Sequence, residues 1–175
     1  MNYGLIKKID ANNGLGIRVS IFVSGCRNKC PGCFNSQASD FKFGKKFTQK
    51  ESDLIIDALN RHYIKGITFL GGDPLEPENQ EDVYNLIKRI RDTYGEKKDI
   101  WLYTGGVYEE IIKKDSRWQT PYLDKIFNNI DVLVDGPFIL AKKDIQNTPF
   151  RGSTNQRLID MKKTMSEKQV KELIL

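Results

Sequence analysis

A chain of 175 residues with 39% hydrophobic content has enough apolar side chain for one domain with its own core. Its 28 Lys and Arg against 23 Asp and Glu leave a net charge of +5, dispersed rather than interleaved with aromatics, which argues against a nucleic-acid-binding face. No apolar run reaches the ~18 residues of a membrane helix, and the opening Met1-Asn2-Tyr3-Gly4-Leu5-Ile6-Lys7-Lys8 lacks the core of a secretion signal, so a cytoplasmic protein that binds neither nucleic acid nor membrane is expected.

Ile17, Val19, Ile21 and Val23 alternate with Arg18, Ser20, Phe22 and Ser24, the period of a strand. That strand runs through Gly25 into Cys26-Arg27-Asn28-Lys29-Cys30-Pro31-Gly32-Cys33-Phe34-Asn35, which holds every cysteine of the chain. Thr48 and Glu51 read as a capping box opening a helix with the stripe Leu54, Ile55, Ala58 and Leu59. A short buried strand over 67–70 stops at Gly71-Gly72-Asp73-Pro74. Val83, Leu86, Ile87 and Ile90 return to helical spacing. A third strand, 100–103, ends at Thr104-Gly105-Gly106. Stretches 107–114 and 122–128 read as helical, with Pro121 opening the second. A fourth strand, 132–134, ends at Asp135-Gly136-Pro137, and 157–161 reads as a fifth. Ser166 is placed to cap a last short helix running to 175.

Strands alternating with helices imply a parallel sheet with right-handed crossovers. Four or five units are too few for a closed eight-stranded barrel. The expected fold is therefore α/β: an open, partial (β/α) barrel with a curved, mainly parallel sheet. No linker or repeat divides it, so 1–175 reads as a single domain, with a core over about 1–162 and a helical tail over 163–175.

The cysteine loop and the three glycine-bearing turns each follow a strand. In parallel α/β folds the C-terminal strand edge carries the site, so all four should line one rim. Three thiolates within eight residues can hold one small inorganic centre. Iron–sulfur cubanes usually take four cysteines; three leave one iron open to a substrate. An odd count cannot pair within the chain, and a reducing compartment favours metal over disulfide. Zinc is the rival, but it prefers four ligands. His62, the only histidine, lies just past a helical stripe, and nothing specifies Asp40.

Gly71 and Gly72 allow backbone to approach a ligand closely. Pro74 biases Asp73 toward an extended conformation, which would turn its carboxylate toward a cationic amino group; a plain strand-to-helix turn is the other reading. Tyr103 and Thr104 could offer hydroxyls to a ribose and Asp135 a carboxylate, or they could simply end a strand and open a turn. The run Arg151-Gly152-Ser153-Thr154-Asn155-Gln156-Arg157 reads as a surface loop that could close over an anionic group.

Cys26-x3-Cys30-x2-Cys33 resembles the cluster motif of radical S-adenosylmethionine (SAM) enzymes, and Gly71-Gly72-Asp73-Pro74 their glycine-rich SAM-binding motif. With Asn13-Gly14-Leu15-Gly16-Ile17-Arg18, Cys-Pro-Gly-Cys-Phe-Asn and the Arg151–157 run, the chain resembles, more narrowly, the family that activates anaerobic (class III) ribonucleotide reductase. The likeness extends to about Asp160.

The resemblance implies a radical SAM fold and a [4Fe-4S] cluster on Cys26, Cys30 and Cys33 whose open iron chelates S-adenosyl-L-methionine. One electron cleaves the sulfonium bond, and the resulting 5′-deoxyadenosyl radical takes a hydrogen from a backbone glycine of the reductase large subunit. An electron donor such as flavodoxin or ferredoxin is implied as well. Carried onto this sequence, Gly32, Cys33 and Phe34 meet the adenine; Gly71, Gly72 and Asp73 receive the methionyl amino group; and Thr104 and Asp135 contact ribose or methionine. Two departures from the wider superfamily, Gly32 before the third cysteine and Asp73 where Glu is frequent, match the reductase-activating group. Other readings remain: a small radical SAM protein activating a different glycyl radical enzyme or making a deazapurine, and a non-enzymatic module stapled by metal.

Overall fold

The computed structural model describes residues 1–175. Its strands are β1 (Asn2–Asp10), β2 (Ile17–Val23), β3 (Lys45–Lys46), β4 (Ile64–Gly71), β5 (Asp99–Tyr103), β6 (Val132–Asp135) and β7 (Arg157–Asp160). The α-helices are α1 (Gln49–Leu59), α2 (Pro77–Tyr94), α3 (Tyr108–Ile111), α4 (Leu123–Phe127) and α5 (Met161–Glu167). All seven strands form one sheet, in the order β3-β1-β2-β4-β5-β6-β7, which does not close on itself. The middle four, β2, β4, β5 and β6, run parallel. The flanks are antiparallel: β1 against β2 and β3, and β7 against β6. The architecture is thus mixed α/β with a parallel centre.

Period-two alternation splits the strands between two faces. Val19, Ile21, Val23, Ile67, Phe69, Ile100, Leu102, Leu133 and Ile159 join one core with Ile55, Leu59, Val83, Ile87 and Ile126 of the helices. The residues one step out of phase, Trp101, Val132, Val134 and Leu158, form a smaller separate cluster. Arg18, Ser20 and Thr68 share this second face and are fully buried. Arg18 Nε donates to Thr68 Oγ1 (2.8 Å), its guanidinium lies 5.2 Å from the Trp101 ring centroid, and it pairs with Asp99 at 2.6 Å.

The expected capping box opens α1, with Thr48 N–H donating to Glu51 (2.9 Å). Pro77 occupies the first turn of α2, where its missing N–H costs nothing. Three elements depart from the sequence reading. β1 was not expected: it carries Gly4, Lys7 and Lys8, and two register shifts break its alternation. The stretch 107–114 yields only the single turn α3. The last helix does not start at Ser166. Asp160 caps it by accepting from Lys163 N–H (3.0 Å), and Lys168, in left-handed backbone (φ 53°), ends it. The residues beyond are not helical; they return along β7, with Leu173 N–H donating to Leu158 O (2.7 Å) and Asp160 N–H to Lys171 O (2.8 Å).

Candidate functional site

The C-terminal ends of the four parallel strands open on a cavity of about 670 Å³. Its wall takes Cys26, Cys30, Cys33 and Phe34 from the loop after β2, Gly71 and Gly72 from the turn after β4, Tyr103, Thr104 and Gly105 from the end of β5, and Gly136 and Phe138 from beyond β6. The four sequence-distant segments therefore meet at one rim. Phe22 and Leu70, from the second face of the sheet, extend the wall downward, and Phe150, Arg151 and Gln156 close it from the connection between β6 and β7. No aspartate or glutamate lines it; its charged residues are Lys29 and Arg151.

All three cysteines are free and partly exposed. Lys29 adopts left-handed backbone (φ 45°), and the N–H groups of Asn28 and Lys29 are directed at the Cys26 sulfur. Inward N–H groups of this kind make an anion-binding concavity suited to a thiolate. Burial pushes the Cys26 thiol up to about 11, and the nearby Asp73 carboxylate adds to the rise. Such a thiol ionises only beside a compensating cation, which iron provides. Three soft donors on one loop, facing one cavity, with N–H groups on a sulfur, fit an iron–sulfur cluster.

The glycines of the second turn are required by packing. Gly71 has φ +110°, a region that favours glycine. A Cβ on Gly72 would stand 2.5 Å from Gly25 O and 2.8 Å from Ala38 O, both backbone atoms. Gly72 N–H donates to Val23 O (2.7 Å) and Asp73 N–H to Gly25 O (2.8 Å), so this turn lies flat against the stem of the cysteine loop.

Asp73 itself turns away from the cavity. Fully buried, it accepts from Leu75 N–H (3.0 Å), Thr104 Oγ1 (3.0 Å), Gly105 N–H (3.2 Å) and Asn28 Nδ2 (3.1 Å). Burial pushes its carboxyl up to about 6 despite these donors. It stitches the cysteine loop to the turns after β4 and β5. Glu76, also fully buried, does the same with larger charges: it accepts from Arg27 N–H (2.7 Å), the Arg27 guanidinium (2.6 Å) and Arg117 (2.7 Å). One donor atom each from Cys26, Asp73 and Glu76 lies within 4.8 Å of the others. Both carboxylates are occupied by hydrogen-bond donors, so Asp73 and Glu76 brace the loop and leave Cys26 as the one free metal donor of the three.

Thr104, 4% exposed, is committed both ways, donating to Asp73 and accepting from Gly106 N–H (3.1 Å). The Tyr103 hydroxyl donates to Phe150 O (2.7 Å) while its ring lines the cavity. Asp135 is buried and gripped by Arg157 (Nε 3.0 Å, Nη2 2.5 Å) and Tyr108 N–H (2.8 Å). Gly32, at φ +74°, lies against Leu140, and the Phe34 ring, 58% exposed, tilts on Phe138 at 5.0 Å. His62 is exposed, edge-on to Tyr63 and away from the cavity. Asp40 is exposed and accepts from Lys42 N–H (2.8 Å).

The run Arg151–157 is not a loose surface loop. Gln156 accepts from Gly152 N–H (2.8 Å) and Ser153 N–H (3.2 Å) and donates to Gly136 O (3.0 Å). Asn155 donates to Pro137 O (2.8 Å), and Ser153 is fully buried. Its polar side chains clasp the chain leaving β6 to the chain entering β7. Sequence reasoning missed Glu76, Asn28 and Arg117; Arg151, from the run that could close over an anionic group, does line the cavity. A glutamate directly before the proline that opens a helix was the one readable signal, since an N-cap carboxylate beside a site can reach backbone on the neighbouring loop.

No helix is long and apolar enough to cross a membrane. Residues 12–159 match the family described as the 4Fe-4S single cluster domain. The chain is 37% identical over 159 residues to the anaerobic ribonucleoside-triphosphate reductase-activating protein of Enterobacteria phage T4, covering 90% of this chain and 93% of the phage protein. It is 40% identical to the protein of that name from Escherichia coli (strain K12) and 41% to that from Vibrio cholerae, in each case over 89% of this chain and 96% of the relative.

Proposed function

The chain belongs to the 4Fe-4S single cluster family and, within it, to the anaerobic ribonucleoside-triphosphate reductase-activating proteins, and from that premise we propose that it is a radical SAM activase that places a glycyl radical on anaerobic ribonucleotide reductase. The observation that carries this reading is the meeting of three thiols with the glycine-bearing turns of β4, β5 and β6 in one cavity free of carboxylates. Cys26, Cys30 and Cys33 would hold the cluster, and a cubane with three protein ligands keeps one iron for substrate. When bound, that group supplies one electron to S-adenosyl-L-methionine, releasing methionine and a 5′-deoxyadenosyl radical competent to remove a glycine hydrogen atom.

The protein's own residues bind and orient. Gly71 and Gly72, without side chains, let the methionyl end approach backbone. Phe34 and Phe138 offer an apolar wall for the adenine beside Cys33, with Gly32 shaping the loop beneath. Asp73, Thr104 and Asp135 act on SAM only through the backbone they position, because their polar atoms are already partnered. We read the open sheet as the partial barrel of the radical SAM fold, in a single domain over 1–175, working in the cytoplasm with a flavodoxin- or ferredoxin-like electron donor.

The test is anaerobic reconstitution with iron and sulfide, followed by a SAM cleavage assay with and without the reductase. The expected result is a brown protein that releases methionine on reduction and produces an EPR glycyl doublet on the reductase. Colourless, zinc-loaded protein with no SAM cleavage overturns the proposal, and a doublet appearing only on another glycyl radical enzyme moves it to a different partner.

A further inference from the structure

The three cysteines are not held alike. Around Cys26 the backbone is tied on both sides: Asn79 Nδ2 donates to Ser24 O (3.0 Å), Gly25 N–H to Ala38 O (2.8 Å), Cys26 N–H to Ser39 O (3.1 Å) and Arg27 N–H to the Glu76 carboxylate (2.7 Å). The one hydrogen bond of the Cys30 and Cys33 backbones joins them to each other, at 3.1 Å. Both side-chain ties to the Cys26 stretch come from the start of α2. Glu76 stands at the N-cap of that helix without capping it, its carboxylate turned to the cysteine loop instead.

A tie needs only an acceptor, and an amide oxygen would take the Arg27 N–H without burial of a charge. Glu76 nevertheless places a carboxylate, fully buried, within 4.8 Å of the Cys26 sulfur. Two cations oppose it, Arg27 at 2.6 Å and Arg117 at 2.7 Å. Each cation is pinned in turn. The Arg27 guanidinium lies 4.7 Å from the Phe41 ring centroid and pairs with Glu78, and Phe41 packs on Gly25, where a Cβ would stand 2.3 Å from the ring. The Arg117 guanidinium lies 4.0 Å from the Trp118 ring and donates to Asn28 Oδ1 (2.8 Å). None of Arg27, Glu76 and Arg117 lines the cavity. These charges keep fixed places beside one ligating sulfur and out of reach of anything bound in front of it.

We propose that Glu76 is a positioning residue for the iron–sulfur centre: acting through Cys26 and opposed by Arg117, it sets the potential at which that centre takes up its electron. The inference rests on the proposed function, since it supposes a cluster on these cysteines. Reduction adds one electron to the cluster and makes or breaks no bond. A fixed negative charge beside a ligand sulfur therefore resists it, and a fixed positive charge favours it. Glu76 is shut away from water, whereas the Arg117 side chain is 33% exposed, so solvent screens the arginine more.

The test uses the anaerobically reconstituted protein without SAM or reductase. Its midpoint potential is read from the EPR signal of the reduced cluster during titration with dithionite, and iron and sulfide content are read in parallel. Glu76→Gln keeps an acceptor for Arg27 N–H and should shift the reduction equilibrium about tenfold toward the reduced cluster, or 59 mV upward for one electron. Arg117→Gln should shift it about threefold the other way, and the double variant should fall between the parent and Glu76→Gln. An unchanged or lowered potential in Glu76→Gln, or two single variants that move the same way, overturns the inference, while a parent that carries its cluster leaves the proposed function standing. If Glu76→Gln holds no cluster, Arg117→Gln decides: a lowered potential supports the inference and an unchanged one overturns it. A parent that assembles no four-iron cluster overturns the proposed function and the inference with it.

Discussion

Val19, Ile21 and Val23 of β2 are sealed against the helices, whereas Arg18, Ser20 and Phe22, one residue out of step, face the cavity side. The same contrast recurs on β4, where Ile67 and Phe69 enter the main core while Thr68 accepts from a buried arginine and Leu70 lines the cavity. One face is apolar and dry, and it carries the stability that burial of large side chains provides, about 1.5–3 kcal/mol for each fully buried Val, Leu, Ile or Phe. The other face is held by polar braces and leaves room for a guest. The difference teaches that the fold and the chemistry draw on separable sets of residues, alternating along the same strands.

The hardest challenge to that separation is Cys30→Ala. On the cavity side, loss of one thiolate should abolish cluster assembly and SAM cleavage, read from iron and sulfide content and from released methionine. On the core side little should change, because Cys30 is partly exposed on a loop; a stability change within about 0.5 kcal/mol is expected by denaturant titration. A large loss of stability in the apo protein would join the two faces after all. Arg157→Met tests the cavity side's own bracing. Asp135 is 1% exposed and would lose its cation, at a cost of about 3 kcal/mol. Pairing the change with Asp135→Asn should recover part of that cost, because no buried charge is left uncompensated; no recovery would mean that Arg157 acts through Glu109 instead.

The apolar face was legible because burial on one side imposes a period of two or 3.6, and both survive in a bare sequence. The convergence of the four turns followed from strand direction alone. What the sequence concealed depended on pairing across long separations. β1 looks like a polar segment because its half-exposed, bulged course demands no alternation. The reversal of β7 leaves no local mark, since a long connection without a helix can return in either sense. Asp73 and Asp135 could be read from the sequence either as ligand-facing carboxylates or as plain turn residues; only the three-dimensional position of Asn28, Thr104 and Arg157 shows which donors each accepts from. The Arg151–157 run looked like surface for the same reason, its partners lying on the far side of the connection.

Gly72→Ala sits where the two faces meet the rim, and it sharpens the comparison. The new methyl group has no flexible neighbour to displace, because Gly25 O and Ala38 O are backbone atoms at 2.5 and 2.8 Å. The cysteine-loop stem must shift instead, costing about 1–3 kcal/mol and lowering cluster occupancy together with stability. Ile87→Val is the counterpart on the dry face. Ile87 is fully buried in α2 and belongs to the main core, so removing one methylene should cost about 1 kcal/mol. If alternation truly partitions the strands, that loss should appear in the denaturation midpoint alone, with iron content and the rate of SAM cleavage matching the parent. A cluster that loosens when only the helix side is trimmed would mean that packing strain crosses the sheet, and the rim would then owe its geometry to the core as much as to its own hydrogen bonds.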